Sequence, residues 1–168
     1  MTYDPRSQSS RQVLAGALIE MLENAGFARE EIPGTKEAVY SRPLNEKVRV
    51  ACYTSIVNGE CRDVGYDAIR VVALYSAKDG KSRGICKAEK RVNRVGQVSA
   101  IVDRTLERMR EVYSMARTPD RCESCGAPKF VSKKGNSVCA DLCWIKSEQR
   151  SRPYRRSYNR SRRYSRAS

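Results

Sequence analysis

The chain has 168 residues, of which 33 are Lys or Arg, 19 are Asp or Glu and none is His, so its formal net charge is +14. This length allows one ordinary domain with appendages but excludes two full-sized domains. The absence of histidine excludes Ser–His and Cys–His nucleophile pairs and every metal site that contains histidine, and it removes the usual general base at neutral pH.

The sequence contains no segment with the pattern of a signal peptide or a membrane span. We therefore expect an intracellular protein, with the nucleus as a compatible compartment if the host is eukaryotic. In a reducing compartment, the seven cysteines favour metal binding or free thiols over disulfides.

The positive charge is concentrated at one end of the chain. Residues 1–121 carry 21 Lys and Arg against 16 Asp and Glu, whereas residues 122–168 carry 12 against 3. A strongly cationic segment most often binds a polyanion, and nucleic acid is the commonest one, with an anionic membrane surface as the lesser alternative. We therefore expect a nucleic-acid partner and no membrane association.

Residues 1–35 are predicted to form an N-terminal helix and a loop. Ser9 and Gln12 have the spacing of a capping box, and apolar residues then recur at helical intervals as far as Gly26. The stretch AREEIPGTKE, residues 28–37, has the composition of a connecting loop.

Residues 36–118 are predicted to form the core domain, which begins with an antiparallel meander of three or four strands. In KVRVACYTSIV, residues 47–57, Val50 and Cys52 fall on one face and Arg49 and Tyr53 on the other. Asn–Gly at 58–59 and Asp–Gly at 79–80 predict hairpin turns. The neighbouring strands are predicted around AVYSRPL, in DAIRVVALYS and in SRGICKAEKRVNR.

A longer helix is predicted over VGQVSAIVDRTLERMREVYSMA, residues 95–116. Its apolar stripe includes Ile101, Met109 and Val112, and its polar face includes Arg104 and Arg108. Such a helix can cover one face of the meander, so we predict an α+β fold in which the meander packs with an N-terminal and a longer C-terminal helix.

Residues 119–146 contain two close pairs of cysteines. Cys122 and Cys125 form a CxxC pair, Cys139 and Cys143 form a CxxxC pair, and the thirteen residues between the pairs can form a hairpin. This pattern is typical of a structural zinc ribbon, in which four thiolates surround one Zn²⁺ and leave no position for a catalytic water. Two disulfides, four unconnected thiols, a redox-active CxxC and an iron–sulfur cluster are the alternatives. The partnerless cysteines Cys52 and Cys86 are expected to be small core residues.

Three groups of cations are candidate nucleic-acid contacts. The strand following the Asp–Gly turn is expected to place Arg83 and Lys87 on one face and Gly84 and Cys86 on the other, so that its cations could border a groove. The first group is Lys81, Arg83, Lys87, Lys90, Arg91 and Arg94, and the second, on the ribbon beside an exposed Phe130, is Lys129, Lys133 and Lys134. Solvated surface lysines are the ordinary alternative for both groups.

Residues 147–168 are predicted to form a disordered tail rich in Arg, Ser and Tyr, because they cannot supply a core. Its arginines could neutralise phosphates while its tyrosines stack on unpaired bases. A solubilising tail and a nuclear localisation signal are the alternatives. The third group of cations is Arg150, Arg152, Arg155, Arg156, Arg160, Arg162, Arg163 and Arg166.

The meander with RDVGY at residues 62–66, the basic segment and the long helix together resemble the core of the single-strand annealing proteins, which include phage annealases and eukaryotic recombination mediators. The resemblance covers residues 38–116 and does not include the ribbon or the tail. It implies a homo-oligomeric protein with a basic groove for single-stranded DNA, acting in recombination, repair or replication. It also implies that the groove is lined by Arg83, Lys87, Lys90, Arg91 and Arg94.

These observations favour a non-enzymatic nucleic-acid-binding protein, with single-stranded DNA as the leading partner and RNA as an alternative. A transcription-regulatory or protein-docking protein is the second interpretation, in which the ribbon contacts a protein and the tail only localises it. A metal-dependent nuclease is the third, with Asp63, Asp67 and Glu89 as carboxylates beside Lys87 or Lys90. Glu89 and Lys90 are adjacent and would point to opposite faces of a strand, which disfavours the nuclease.

Overall fold

The computed structural model describes residues 4–65, 69–88 and 96–143 and has the predicted α+β fold. Two helices accompany a five-stranded antiparallel sheet and two small two-stranded ribbons. The elements are α1 (Gln8–Asn24), β1 (Ala28–Glu30), β2 (Val39–Pro43), β3 (Val48–Thr54), β4 (Ile56–Val57), β5 (Glu60–Cys61), β6 (Ile69–Ser76), β7 (Ser82–Lys87), α2 (Val98–Arg117), β8 (Lys129–Val131) and β9 (Ser137–Cys139).

The main sheet has the order β1-β2-β3-β6-β7, one strand more than the meander that the sequence predicts. The additional strand is β1, which lies in the stretch predicted as a loop and pairs with β2 so that Arg29 lies opposite Tyr40. Three residues are too few to show an alternating pattern, and no residue of β1 is fully buried. Pairing with β2, rather than local sequence, therefore decides that this segment is a strand.

Both predicted hairpin turns are present. Asn58 and Gly59 have φ angles of 51° and 78°, which suit a tight turn between two strands, and they connect β4 to β5. Gly80, with a φ of 81°, lies in the turn between β6 and β7. The small β4–β5 ribbon interrupts the meander, and β3 pairs with β6 directly.

One face of the sheet packs against the helices. Val50 and Cys52 of β3 and Val71 and Ala73 of β6 belong to the same buried cluster as Leu18 of α1. The cluster also contains Ile101, Met109 and Val112 of α2. The predicted face of β3 and the predicted stripe of α2 are therefore confirmed, and α1 shares its core with the sheet.

Two details of the helices differ from the sequence-based expectation. The side chain of Ser7, rather than Ser9, caps α1 by accepting a hydrogen bond from the backbone N–H of Ser10. Arg108 was expected on the polar face of α2 but is only 5% exposed, and its guanidinium donates to the carbonyl of Ile69. The carbonyl of Ile69 accepts from one of the five N–H donors of this guanidinium.

The other face of the sheet carries side chains that lie outside the helix-packed cluster. Arg49 pairs across the strands with Leu74, and Tyr53 pairs with Arg70. The guanidinium of Arg49 contacts Glu30 of β1 at 3.1 Å and Ser82 of β7 at 3.3 Å. Arg49 therefore links the central strand to both edge strands across this face. We call it the open sheet face.

Candidate metal centre and basic groove

The four cysteines predicted as metal ligands lie together. The Sγ atoms of Cys122, Cys125, Cys139 and Cys143 are all within 4.8 Å of one another. The Sγ atoms of Cys122 and Cys143 are 3.5 Å apart, and those of Cys125 and Cys139 are 3.4 Å apart. A tetrahedron with four bonds of 2.3 Å needs sulfur atoms roughly 3.8 Å apart, so the cluster can hold one metal ion.

Two turns and a hairpin bring the cysteines together. The backbone N–H of Gly126 donates to the carbonyl of Cys122, and its φ of 74° lets the chain reverse directly after the first pair. β8 and β9 form the predicted hairpin, in which Lys129 lies opposite Cys139. Leu142, with a φ of 51°, makes the second turn and donates to the carbonyl of Cys139.

The backbone around the first pair favours a thiolate. Hydrogen bonds from the amides of Cys125 and Ser124 lower the pKa of the Cys122 thiol to about 6. A hydrogen bond with the Cys122 sulfur, followed by burial, raises the pKa of the Cys143 thiol to about 12, because Cys143 keeps its proton to share with Cys122. A cation among the four sulfur atoms would favour the thiolate form of each, so the donor set fits a divalent metal that prefers thiolate ligands.

The remaining cysteines lie in or against the core, as predicted for Cys52 and Cys86. All seven cysteines are free. Burial raises the pKa of Cys52 to about 12 and that of Cys61 to about 11, which keeps these thiols protonated. Cys86 is half-buried on β7 and contacts the carbonyl of Val112. These three thiols are outside the metal-ligand cluster.

The four-cysteine module, residues 119–143, is attached to the end of the sheet. The carboxylate of Asp141 accepts hydrogen bonds from the hydroxyl of Tyr75 and from the backbone N–H of Lys78, both at 2.9 Å. Burial, followed by the hydrogen bond to Asp141, raises the pKa of Tyr75 to about 12. The guanidinium of Arg83 lies 5.9 Å from the centre of the Phe130 ring. The module is therefore anchored to β6, β7 and the turn between them.

An open groove of about 650 Å³ lies where the module meets the sheet and the end of α2. Its walls include Tyr75 and Asp141 and four cations. Among the described residues none of these cations has an ion-pair partner. They are Lys47, Lys78, Arg117 and Arg121. No local sequence pattern indicates this group, because its members are far apart along the chain and converge only in the fold.

The predicted basic strand does not present its cations on one face. Lys87 lies opposite Val72 on the open sheet face, whereas Arg83 lies opposite Tyr75 on the face that carries the helices. The cause is a β-bulge at Ile85, since one extra residue between paired positions reverses the alternation. Gly84 and Cys86 are accordingly on opposite faces, which corrects the expectation that they share one.

The other described members of this set have different surroundings. Lys81 is exposed beside the turn between β6 and β7. Arg83 pairs with Asp79, and its side chain is only 13% exposed. The hydrogen bonds from Arg83 hold the pKa of Asp79 well below its usual range.

The ribbon cations are at the surface, but Phe130 is not the exposed aromatic that the sequence suggests. Lys133 and Lys134 are exposed in the β8–β9 turn, Lys129 is half-buried, and Phe130 is half-buried under Arg83. The remaining predicted contacts lie outside the described residues. They are Lys90, Arg91, Arg94, Arg150, Arg152, Arg155, Arg156, Arg160, Arg162, Arg163 and Arg166.

The carboxylates considered for a nuclease do not form a described cluster. In the parts of the chain that the structure describes, the four cysteines are the single group of three or more acidic or thiol side chains that could hold a metal ion. The backbone N–H of Asp63 donates to the Ser55 hydroxyl. Asp67, Glu89 and Lys90 lie outside the described residues.

No protein-family model, curated protein or solved structure matches this chain. The resemblance to single-strand annealing proteins therefore stays a prediction. Neither of the two described helices has the length and apolar character needed to cross a membrane.

Proposed function

We propose that Cys122, Cys125, Cys139 and Cys143 bind one Zn²⁺ with a structural role. Zinc accepts four thiolates in tetrahedral geometry, and such a site is closed to water and substrate. The support is the close approach of all four Sγ atoms together with the amide donors around Cys122. Metal analysis of the purified protein should find one zinc per chain. Iron with inorganic sulfide would contradict the proposal.

We further propose that the protein binds nucleic acid without performing catalysis, with single-stranded DNA as the leading partner. The observation that carries this proposal is the groove between the module and the sheet, with four cations that have no described ion-pair partner. The lining also includes the carboxylates of Glu46 and Asp141, so cations exceed carboxylates by two, and bound phosphates would neutralise this excess. The module lines part of this groove. The arginine-rich residues 147–168 follow the module along the chain and add further cations.

A salt titration of binding tests this function. Full-length zinc-loaded protein is titrated with fluorescent single-stranded and duplex DNA and RNA at several salt concentrations, and annealing of complementary strands is scored in parallel. Lys78→Gln combined with Arg117→Gln should lower the slope of log affinity against log salt by about 0.7 per cation for single strands. Arg29→Gln with Lys36→Gln is the matched control, because both residues are exposed and away from the groove.

The outcomes separate the interpretations. Equal salt slopes for the groove variant and the control would remove the groove from the binding site. Failure of the full-length protein to bind any of the four probes would remove nucleic-acid binding and favour the protein-docking interpretation. Annealing faster than in protein-free mixtures would support the predicted recombination role. Binding without annealing would restrict the function to binding.

A further inference from the structure

The open sheet face has an aromatic and cationic end that the groove does not include. The guanidinium carbon of Arg70 lies 4.7 Å from the centre of the Tyr53 ring. Lys87 of β7 lies opposite Val72 on the same face, and β6 separates its strand from the strand of Tyr53. Arg70 and Lys87 are exposed, Tyr53 and Val72 are half-buried, and none of the acidic residues described by the structure pairs with either cation.

The open sheet face carries aromatic and apolar side chains that a sheet face in contact with water alone does not need. An uncovered face of an antiparallel sheet normally alternates polar side chains outward. Here the half-buried Val72 is the apolar neighbour of both cations, and Ala51, which pairs with Val72, is fully buried. At the other end of the face, Arg49 is already bound to Glu30 and Ser82. The accessible positive charge therefore lies with Arg70 and Lys87, near Tyr53.

Charge decides which partner fits this surface. The face presents Arg70 and Lys87 without a described carboxylate partner, so a polyanion is favoured. The arginine-rich residues 147–168 of the same chain would be repelled by these cations. A planar ring beside a planar guanidinium offers stacking surface, which unpaired nucleobases use and duplex bases cannot reach.

We propose that the open sheet face is a second nucleic-acid site, on which unpaired bases stack against the Tyr53 and Arg70 pair while Lys87 contacts the phosphate backbone. The inference rests on the proposed nucleic-acid-binding function and adds a separate surface to it. Tyr75, which lines the groove, is on the face that packs against the helices, whereas Tyr53 is on the opposite face. The groove holds phosphates and the open sheet face holds bases.

The test is equilibrium binding of full-length zinc-loaded protein to three fluorescent probes: oligo(dT), oligo(U) and a DNA backbone of equal length without bases. Tyr53→Leu removes the ring and keeps an apolar side chain. It should weaken binding of oligo(dT), oligo(U) or both by about tenfold, which corresponds to the loss of one stacked base. Affinity for the base-free strand should be unchanged. The relative loss on oligo(dT) and oligo(U) tells which nucleic acid the site prefers.

A second variant tests the cation without changing the ring. Arg70→Gln should reduce the salt slope for single strands by about 0.7 and should weaken binding. Arg29→Gln is the matched control, because Arg29 is an exposed arginine of the same sheet that lies opposite Tyr40, on the other face. Circular dichroism confirms that each variant keeps its fold.

Photocrosslinking of wild-type protein makes the test independent of mutant folding. A bromouridine-containing single strand should crosslink to the tryptic peptide of residues 50–62, which contains Tyr53. Crosslinks confined to the module and the tail, with unchanged affinity in Tyr53→Leu, would overturn the second site and leave the proposed function intact. If the wild-type protein binds no probe, both proposals fall.

Discussion

The helix–sheet domain and the four-cysteine module have different sources of stability. In the domain, α1, α2 and one sheet face bury a continuous cluster that includes Leu18, Val50 and Val112. The module adds only a few residues to that cluster, among them Ala127 and Ala140. A segment of this size cannot bury enough apolar surface to fold alone, and a metal can supply the missing stabilisation. We therefore expect the domain to fold without the module, and the module to depend on a bound metal and on its anchors.

Removing a ligand should produce the largest effect and separate the two regions. Cys125→Ser is expected to abolish stoichiometric metal binding, because one of four thiolates is lost, and to unfold residues 119–143. The helix–sheet domain should keep its structure. Two-dimensional amide NMR should show collapsed signals for the module and dispersed signals for the domain.

The control for this prediction is Cys86→Ser, which changes a cysteine outside the cluster. It should keep one metal per chain and the full spectrum. If Cys125→Ser unfolds both regions together, the domain and the module form one cooperative unit, and the expectation that the domain folds independently is wrong.

A core substitution should destabilise the helix–sheet domain and leave the four-cysteine module intact. Leu18 is 0% exposed in α1, so Leu18→Ala is expected to lower the free energy of unfolding of the domain by about 2–5 kcal/mol. The metal site should be retained, because its ligands all lie in the module. Denaturant unfolding followed by circular dichroism measures the free energy of unfolding. Metal content at denaturant concentrations below the unfolding transition shows whether the metal site is retained. Val13→Ala, at an exposed position of the same helix, should cost far less.

The anchor between the regions should have an intermediate effect. Asp141→Ala removes the acceptor for the hydroxyl of Tyr75, which is only 5% exposed, and should cost about 1–3 kcal/mol. Tyr75→Phe should cost less, because it leaves no buried hydroxyl without a partner. A double-mutant cycle by denaturant unfolding should give a coupling energy above about 0.5 kcal/mol. Additive effects would show that the anchor contributes nothing.

The smallest effect is expected where Arg83 covers Phe130. Arg83→Lys keeps the charge but removes the planar guanidinium, and it should lower stability by about 0.5 kcal/mol. Lys81→Arg, at an exposed neighbouring position, is the control and should have no measurable effect. A loss of several kcal/mol in Arg83→Lys would mean that the contacts of the guanidinium with Phe130 and Asp79 stabilise the protein more than expected.

Local patterns predicted the features that depend on residues close in sequence. The alternation of Val50 and Cys52 with Arg49 and Tyr53, the two glycine-containing turns and the cysteine spacing all correspond to features of the structure. Each is a short-range property, because side-chain direction and turn geometry depend on a few neighbouring residues. The strand β1 had no such pattern and was missed.

The sequence by itself determined the α+β class, the four clustered cysteines that could hold a metal ion and the charge of the chain. Only the tertiary structure decided which cations share a surface. A single extra residue at Ile85 separates Arg83 from Lys87, and the pairing of β3 with β6 places Tyr53 beside Arg70. The groove likewise joins Lys47 and Lys78 to Arg117 and Arg121, which are distant in sequence. Long-range pairing and packing create these surfaces, and neither has a local pattern from which it could be predicted.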